Sequence, residues 1–170
     1  MRALDDIRIL DLTHVYNGPY ATLLLGFLGA EVIKVEPTLK GEMARTIFKV
    51  PNHDESYPYI MLNSNKKGIT LNLKSPRGRE LFKELALQSD VVVENFAAGA
   101  MDKLGLGYEE LRKLHPGLIY ASGSGFGRSG PYSEYPAFDP IIQAMSGLMA
   151  STGFPGSPPV KAGPPIFDIM

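Results

Sequence analysis

The sequence has no cysteine and no tryptophan. Without cysteine there is no disulfide framework, no thiolate metal site and no thiol nucleophile. An excess of either charge is missing too. The formal net charge is −1, with 17 Lys and Arg against 18 Asp and Glu. No overall field therefore draws in nucleic acid or an anionic membrane, and any anion site must be a local cluster built by the fold. Long apolar runs are also absent, since none approaches the roughly 20 residues of a membrane-spanning helix. The opening residues carry Asp5 and Asp6 and lack the apolar centre of a signal peptide. These features predict a cytoplasmic protein. Histidine is scarce, and His14, His53 and His115 have no partners at ligand spacing, so no metal site is expected.

The residues that are present suit one globular unit. Of 170 residues, 44% are hydrophobic and 21% charged, enough for a proper core. Ile7 to Leu12 is short, branched and apolar, as in a buried parallel strand. Thr13-His14-Val15-Tyr16-Asn17-Gly18 forms a polar turn, and Pro19 suits the first turn of a helix. Ala21 to Leu28 is almost wholly apolar, which predicts burial on most sides. Gly29 ends that helix, and residues 31 to 36 make the next strand. Residues 37 to 62 lack a period, with Pro37, Gly41, Pro51 and Pro58 interrupting them, and read as a long loop that is functional or covers a neighbouring subunit.

Further strands are expected over Ile69 to Leu73, Asp90 to Glu94 and Leu118 to Ser122. Ser75 followed by Pro76 is a cap and first-turn proline for a helix from Arg77 to Gln88. Shorter helices are expected over Ala98 to Lys103 and Tyr108 to Leu114, the second stopped by His115-Pro116-Gly117. Asp139 can cap a helix running to Met149. The chain closes on an apolar stretch after a proline-rich loop, which reads as a cut chain. Alternating strands and helices predict a Rossmann-like α/β fold, an open and mostly parallel sheet. Ligands in such sheets sit beyond the carboxyl ends of the strands. Those ends carry Thr13-His14, Glu36, Lys74, Asn95-Phe96 and Gly123 to Gly127.

Several chemistries can be weighed there. The sequence argues against a nicotinamide dinucleotide site with Glu36 on the ribose, because the first turn offers Gly18 without the spaced glycines a pyrophosphate needs. His14 can pin its loop or touch a ligand. Lys66, Lys67, Lys74, Arg77 and Arg79 gather around one strand–helix unit. Helical phase puts Arg77 and Arg79 on a solvated face. Lys74 precedes a helix amino terminus, where a cation and free N–H groups suit phosphate. Asp168 by position reads as a helix cap, a role that is compatible with a nucleophile kept ionised by the dipole.

Longer stretches carry a family likeness. Asp11-Leu12-Thr13-His14-Val15 with Gly18-Pro19, and Leu25 through Glu36 (LGFLGAEVIKVE), resemble the family III coenzyme A transferases, the CaiB/BaiF family, formyl-CoA transferase in particular. So do Asn63 to Lys67, Asp90 to Phe96, Ser122 to Gly127, Gln143 to Gly147 and Gly163 to Asp168. The resemblance implies that the chain is the amino-terminal part of that family's large domain, without the second domain. It also implies transfer of coenzyme A from an acyl-CoA donor to a free carboxylic acid, with aspartyl anhydride and aspartyl thioester intermediates. Asp168 matches the catalytic aspartate. His14, Lys74, Asn95, Phe96 and Lys103 match positions lining the coenzyme A cleft, and Ala97 and Ala100 match small residues beside it. Tyr16 and Phe138 match active-site positions where formyl-CoA transferase has glutamine and tyrosine, a departure that bears on the acid used. The family likeness implies acyl-CoA and a small carboxylic acid as partners and an interlocked homodimer for the full-length protein. Two alternatives stay open: an α-methylacyl-CoA racemase of the same superfamily, and an acyl-CoA-binding fragment inactive by itself.

Overall fold

The computed structural model describes residues 1–47, 49 and 56–169. His53 and Pro51 lie outside the described residues. The chain begins with β1 (Arg8–Asp11), α1 (Asn17–Phe27) and β2 (Glu31–Glu36), the expected strand–helix–strand crossover. It continues with α2 (Ala44–Ile47), α3 (Tyr57–Asn63), β3 (Lys67–Thr70), α4 (Pro76–Ala86) and β4 (Val91–Glu94). Then come α5 (Ala100–Lys103), α6 (Tyr108–Leu114), β5 (Ile119–Ser122), α7 (Asp139–Met145), α8 (Leu148–Ser151) and α9 (Ile166–Ile169).

The five strands of the described residues are parallel to one another, in the order β3-β2-β1-β4-β5. Strand β1 is central, with Ile9 opposite Val32 on one side and Val91 on the other. Successive side chains of a strand point to opposite faces, so each strand feeds two cores. Leu10, Val35 and Val92 pack on one face with Phe82 and Ala86 of α4, Met101 of α5 and Leu111 of α6. Ile9 and Val32 pack on the other face, with Leu25 of α1 against them. Helices thus cover both faces of a parallel sheet, the Rossmann-like α/β arrangement.

Local chemistry explains the best-defined element ends. The Ser75 hydroxyl accepts the Gly78 N–H at 3.0 Å, and Pro76 opens α4. Gly78 is required there, because a Cβ would lie 2.0 Å from the Asn72 carbonyl oxygen.

Other expectations need correction. Residues 37 to 62 are not one loop, for they contain α2 and α3. Pro58 looked like a breaker, but it sits in the first turn of α3, where its missing N–H costs nothing, and Ser56 caps that helix. The helix from Asp139 stops at Met145, because Gly147 at φ 82° turns the chain before α8. Helix α1 is not buried on most sides: Leu24, Phe27 and Leu28 are exposed. Its packing partners among the described residues, β1, β2, α3 and α9, leave that face open. Strand β3 begins two residues before the expected Ile69 and ends at Thr70. No helix of the described residues is long and apolar enough to cross a membrane.

Candidate functional site

The strand order reverses at β1. The chain first builds outward through β2 and β3, then returns to lay β4 on the other side of β1. At such a switch point the loops leaving two adjacent strands diverge and open a crevice. Here the loops are those after Asp11 and after Glu94.

Side chains stitch these two loops together. The His14 N–H donates to Asn95 Oδ1 at 2.7 Å, and Asn95 Nδ2 donates back to the His14 carbonyl at 3.0 Å. The Phe96 ring lies 4.9 Å from the His14 ring, tilted by 52°. Glu94 turns back to accept the Phe96 N–H at 2.8 Å, which bends the chain sharply after β4. The loop after β5 joins them, since a Cβ on Gly123 would stand 3.6 Å from both Asn17 and Asn95.

Beneath the His14 turn lies a buried charge cluster. Asp11 is fully buried and accepts from the Thr13 N–H at 2.8 Å, Thr22 Oγ1 at 2.7 Å and Lys66 Nζ at 2.8 Å. Lys34 Nζ stands 3.7 Å from the same carboxylate and donates to the Thr13 carbonyl. Burial pushes the Asp11 carboxyl up, but Lys34 and Lys66 overcome it and hold the group below its ordinary value. Lys66 is therefore no part of a solvated basic surface; its side chain is 1% exposed. Arg79 departs from a free surface role too, donating to the Lys74 carbonyl at 2.9 Å. Arg77 stays exposed beside Glu80 and Glu84.

A second buried cluster adjoins the first. Glu36 accepts both arms of the Arg45 guanidinium, at 2.7 Å each, and the Tyr59 hydroxyl at 2.7 Å. Burial would raise this carboxyl, yet Arg45, the Glu42 N–H and Tyr59 bring it down to about 2. Glu36 is occupied within the fold. Glu42 reaches back to the first turn, accepting the Val15 N–H at 2.8 Å. Val15 is held at φ 66°, a conformation that costs a branched residue about 1–3 kcal/mol.

Asp168 arrives from the far end of the chain. Two buried side chains of α7 place it. The Gln143 amide donates to Asp139 Oδ2 at 2.6 Å and to the Pro164 carbonyl at 3.3 Å, and its oxygen accepts the Ala162 N–H at 2.9 Å. Asp139 Oδ1 accepts the Phe167 N–H at 3.0 Å. Asp139 is thus no helix cap: Phe138 holds that position, and Asp139 anchors the segment carrying Asp168. Asp168 is no cap either, being the third residue of α9. Nor does a dipole keep it low, for a helix of one turn has little to offer. Burial and the neighbouring Asp139 charge raise its pKa. Helix α9 packs on α1, and burial, with the Asp168 charge added to it, pushes the Tyr16 hydroxyl up.

His14, Asn95 and Phe96 are thus in direct contact, and Tyr16 and Asp168 share one electrostatic environment. Lys74 and Lys103 are exposed, at the end of the β3 loop and of α5. Ala97 is exposed and Ala100 half-buried at the start of α5. Phe138 is 58% exposed. Among the described residues no group of three or more His, Cys, Asp or Glu side chains is arranged to hold a metal ion. Sequence reasoning gave no individual role to Asp11, Glu42 or Gln143. A polar pair at i and i+4 in the apolar run of α7 was the available signal for Gln143.

The family model for CoA-transferase family III matches residues 4–170. The chain belongs to that family. It is 49% identical over 159 residues to the acetyl-CoA:oxalate CoA-transferase of Acetobacter aceti, covering 94% of this chain and 41% of that protein. It is 46% identical over 169 residues to the succinyl-CoA:glutarate CoA-transferase of Mus musculus, covering 99% and 39%. The crystal structure of a CaiB/BaiF family protein from Brucella suis superposes with a TM-score of 0.91 at 39% identity, over 99% of this chain and 45% of that one. The chain therefore spans about two-fifths of the length of these curated family members.

Proposed function

We propose that the protein transfers coenzyme A from an acyl-CoA donor to a free carboxylic acid, with Asp168 as the nucleophile. The observation that carries this reading is the placement of Asp168. It is half-buried, anchored through Asp139 and Gln143, and electrostatically coupled to Tyr16 at the start of α1. A carboxylate with a raised pKa is a stronger base, and so a better nucleophile, than a solvated one.

The steps balance. The Asp168 carboxylate attacks the donor thioester, and coenzyme A leaves as thiolate from a mixed anhydride. The thiolate attacks the aspartyl carbonyl, which frees the donor acid and leaves an aspartyl thioester. The acceptor carboxylate attacks that thioester, expelling thiolate and forming a second anhydride. Thiolate attack on its acceptor carbonyl gives the new acyl-CoA and restores Asp168. Each step passes through a tetrahedral oxyanion, so positioning and exclusion of water carry the rate. Relatives named for oxalate and glutarate support a small dicarboxylate as acceptor. An interlocked homodimer and a site in the cytoplasm belong to the same proposal.

The test uses the intact protein with a branched acyl-CoA in heavy water and an isotopically labelled acceptor acid. Labelled acyl-CoA should form, with no deuterium at the α-carbon when the acceptor is omitted. Deuterium without transfer would assign the protein to the racemase reading instead.

The coenzyme A position has its own test. Lys74 is exposed and immediately precedes Ser75, the cap of α4. Lys74→Ala should weaken coenzyme A binding about tenfold, the loss of one charge-assisted hydrogen bond. Binding of a pantetheine analogue without the nucleotide phosphates should change less than twofold. An equal loss for both, measured by calorimetry, would remove Lys74 from the phosphate site.

A further inference from the structure

Two buried polar atoms beside the site have no partner. One is Nδ1 of His14 and the other Oε2 of Glu42. They belong to neighbours: His14 Nδ1 lies 4.0 Å from Glu42 Oε1, with Glu42 fully buried and the His14 side chain 19% exposed. Glu42 Oε1 already accepts the N–H groups of Val15 at 2.8 Å and Ala44 at 2.9 Å. The free ring nitrogen therefore lies against a carboxylate whose second oxygen has no partner. An ionised carboxylate can only accept, so the ring nitrogen that satisfies it must carry a proton. A buried polar atom left unpaired costs about 1–3 kcal/mol, and a shift of about an ångström brings Nδ1 within hydrogen-bond distance of the Glu42 carboxylate.

We propose that Glu42 is a positioning residue that fixes His14 as the Nδ1–H tautomer, so that Nε2 is presented to acyl-CoA as a hydrogen-bond acceptor. The ligand half of this inference rests on the coenzyme A reading above; the tautomer half does not. Burial and the Lys34 charge lower the His14 pKa, against the opposing pull of Glu42, Asp11 and Glu36, which keeps the ring neutral and makes the choice of tautomer meaningful. Backbone and side chain then act together. Asn95 grips the His14 main chain on both sides, and Glu42 accepts the N–H of Val15, which sits in the left-handed region, so the turn that carries the imidazole is fixed. Phe96 closes the other side of the ring.

The experiment compares Glu42→Gln with the wild type in intact protein labelled with 15N-histidine, above pH 7. Long-range proton–nitrogen correlation reads which nitrogen of His14 carries the proton. Wild type should show protonated Nδ1 and bare Nε2. In Glu42→Gln the carboxamide oxygen keeps Val15 and Ala44, and the amide donates to His14 Nδ1, so the proton should move to Nε2. Coenzyme A binding should weaken about tenfold in the variant, one hydrogen bond turned from acceptor to donor. Wild type with the proton on Nε2, or a variant with an unchanged tautomer, overturns the proposal. The wild-type spectrum decides the matter even if the variant does not fold. A tautomer that moves while binding stays within twofold overturns the ligand half alone. Failure of the coenzyme A reading looks different, since neither form would then bind coenzyme A at all.

Discussion

Replacing Asp168 with asparagine should leave a folded protein that binds acyl-CoA without transfer. Asparagine has the same shape but no nucleophilic oxygen of comparable strength, so turnover should fall by about 10⁴-fold or more. Coenzyme A affinity should stay within about threefold, because His14, Asn95 and Phe96 do not depend on the Asp168 side chain for their contacts. Stability should hold or rise. Asp168 has a raised pKa from burial and from Asp139, so the folded chain holds its proton more tightly than the unfolded chain. Stability then falls as pH rises through that window, and the variant is spared the fall. A thermal midpoint unchanged or higher at pH 7, with transfer abolished, is the expected pair of results. Loss of both together would mean that Asp168 is structural.

Replacing Asp11 with alanine has the opposite profile. Asp11 is the common partner of Lys34 and Lys66, whose side chains are each 1% exposed. Removing one member of a buried ion cluster leaves the others uncompensated, at a cost of about 3–5 kcal/mol. The Thr13 N–H and the Thr22 hydroxyl lose their acceptor at the same time. Urea denaturation should therefore show a midpoint far below wild type with an unchanged slope. The double variant Asp11→Ala with Lys66→Met should recover part of the loss, since it removes one stranded charge. A loss under about 1 kcal/mol would show that solvent reaches the cluster and that the turn carrying His14 stands without it.

Which of these features the sequence announces follows from the range of the signal. The β1–α1–β2 crossover and the Ser75-Pro76 helix start are local patterns, and the structure carries both. Helix α3 was concealed by Pro58, whose meaning depends on whether it falls inside a helix or in its first turn. The buried clusters are a different matter. Lys66 reaches Asp11 across 55 residues, and Asn95 reaches His14 across 81. Nothing in a window of ten residues distinguishes a lysine bound for a buried carboxylate from one on the surface. The likeness to a known family bridged that distance for His14 and Asn95. It did not do so for Glu42, whose partners Val15 and His14 become visible only when the turn after β1 is folded. The exposed face of α1 shows the converse: an apolar run reports a need for cover without saying what supplies it.

If Asp168 is the nucleophile, it becomes covalently joined to coenzyme A during turnover. Mass spectrometry tests it most directly. The intact protein is mixed with acyl-CoA, quenched in acid and digested, and the peptides are weighed. The peptide containing Asp168 should gain the mass of coenzyme A less one water, and hydroxylamine should convert that adduct to a hydroxamate at the same residue. An adduct confined to another residue, or full transfer with no adduct at any time in the turnover, would contradict the account.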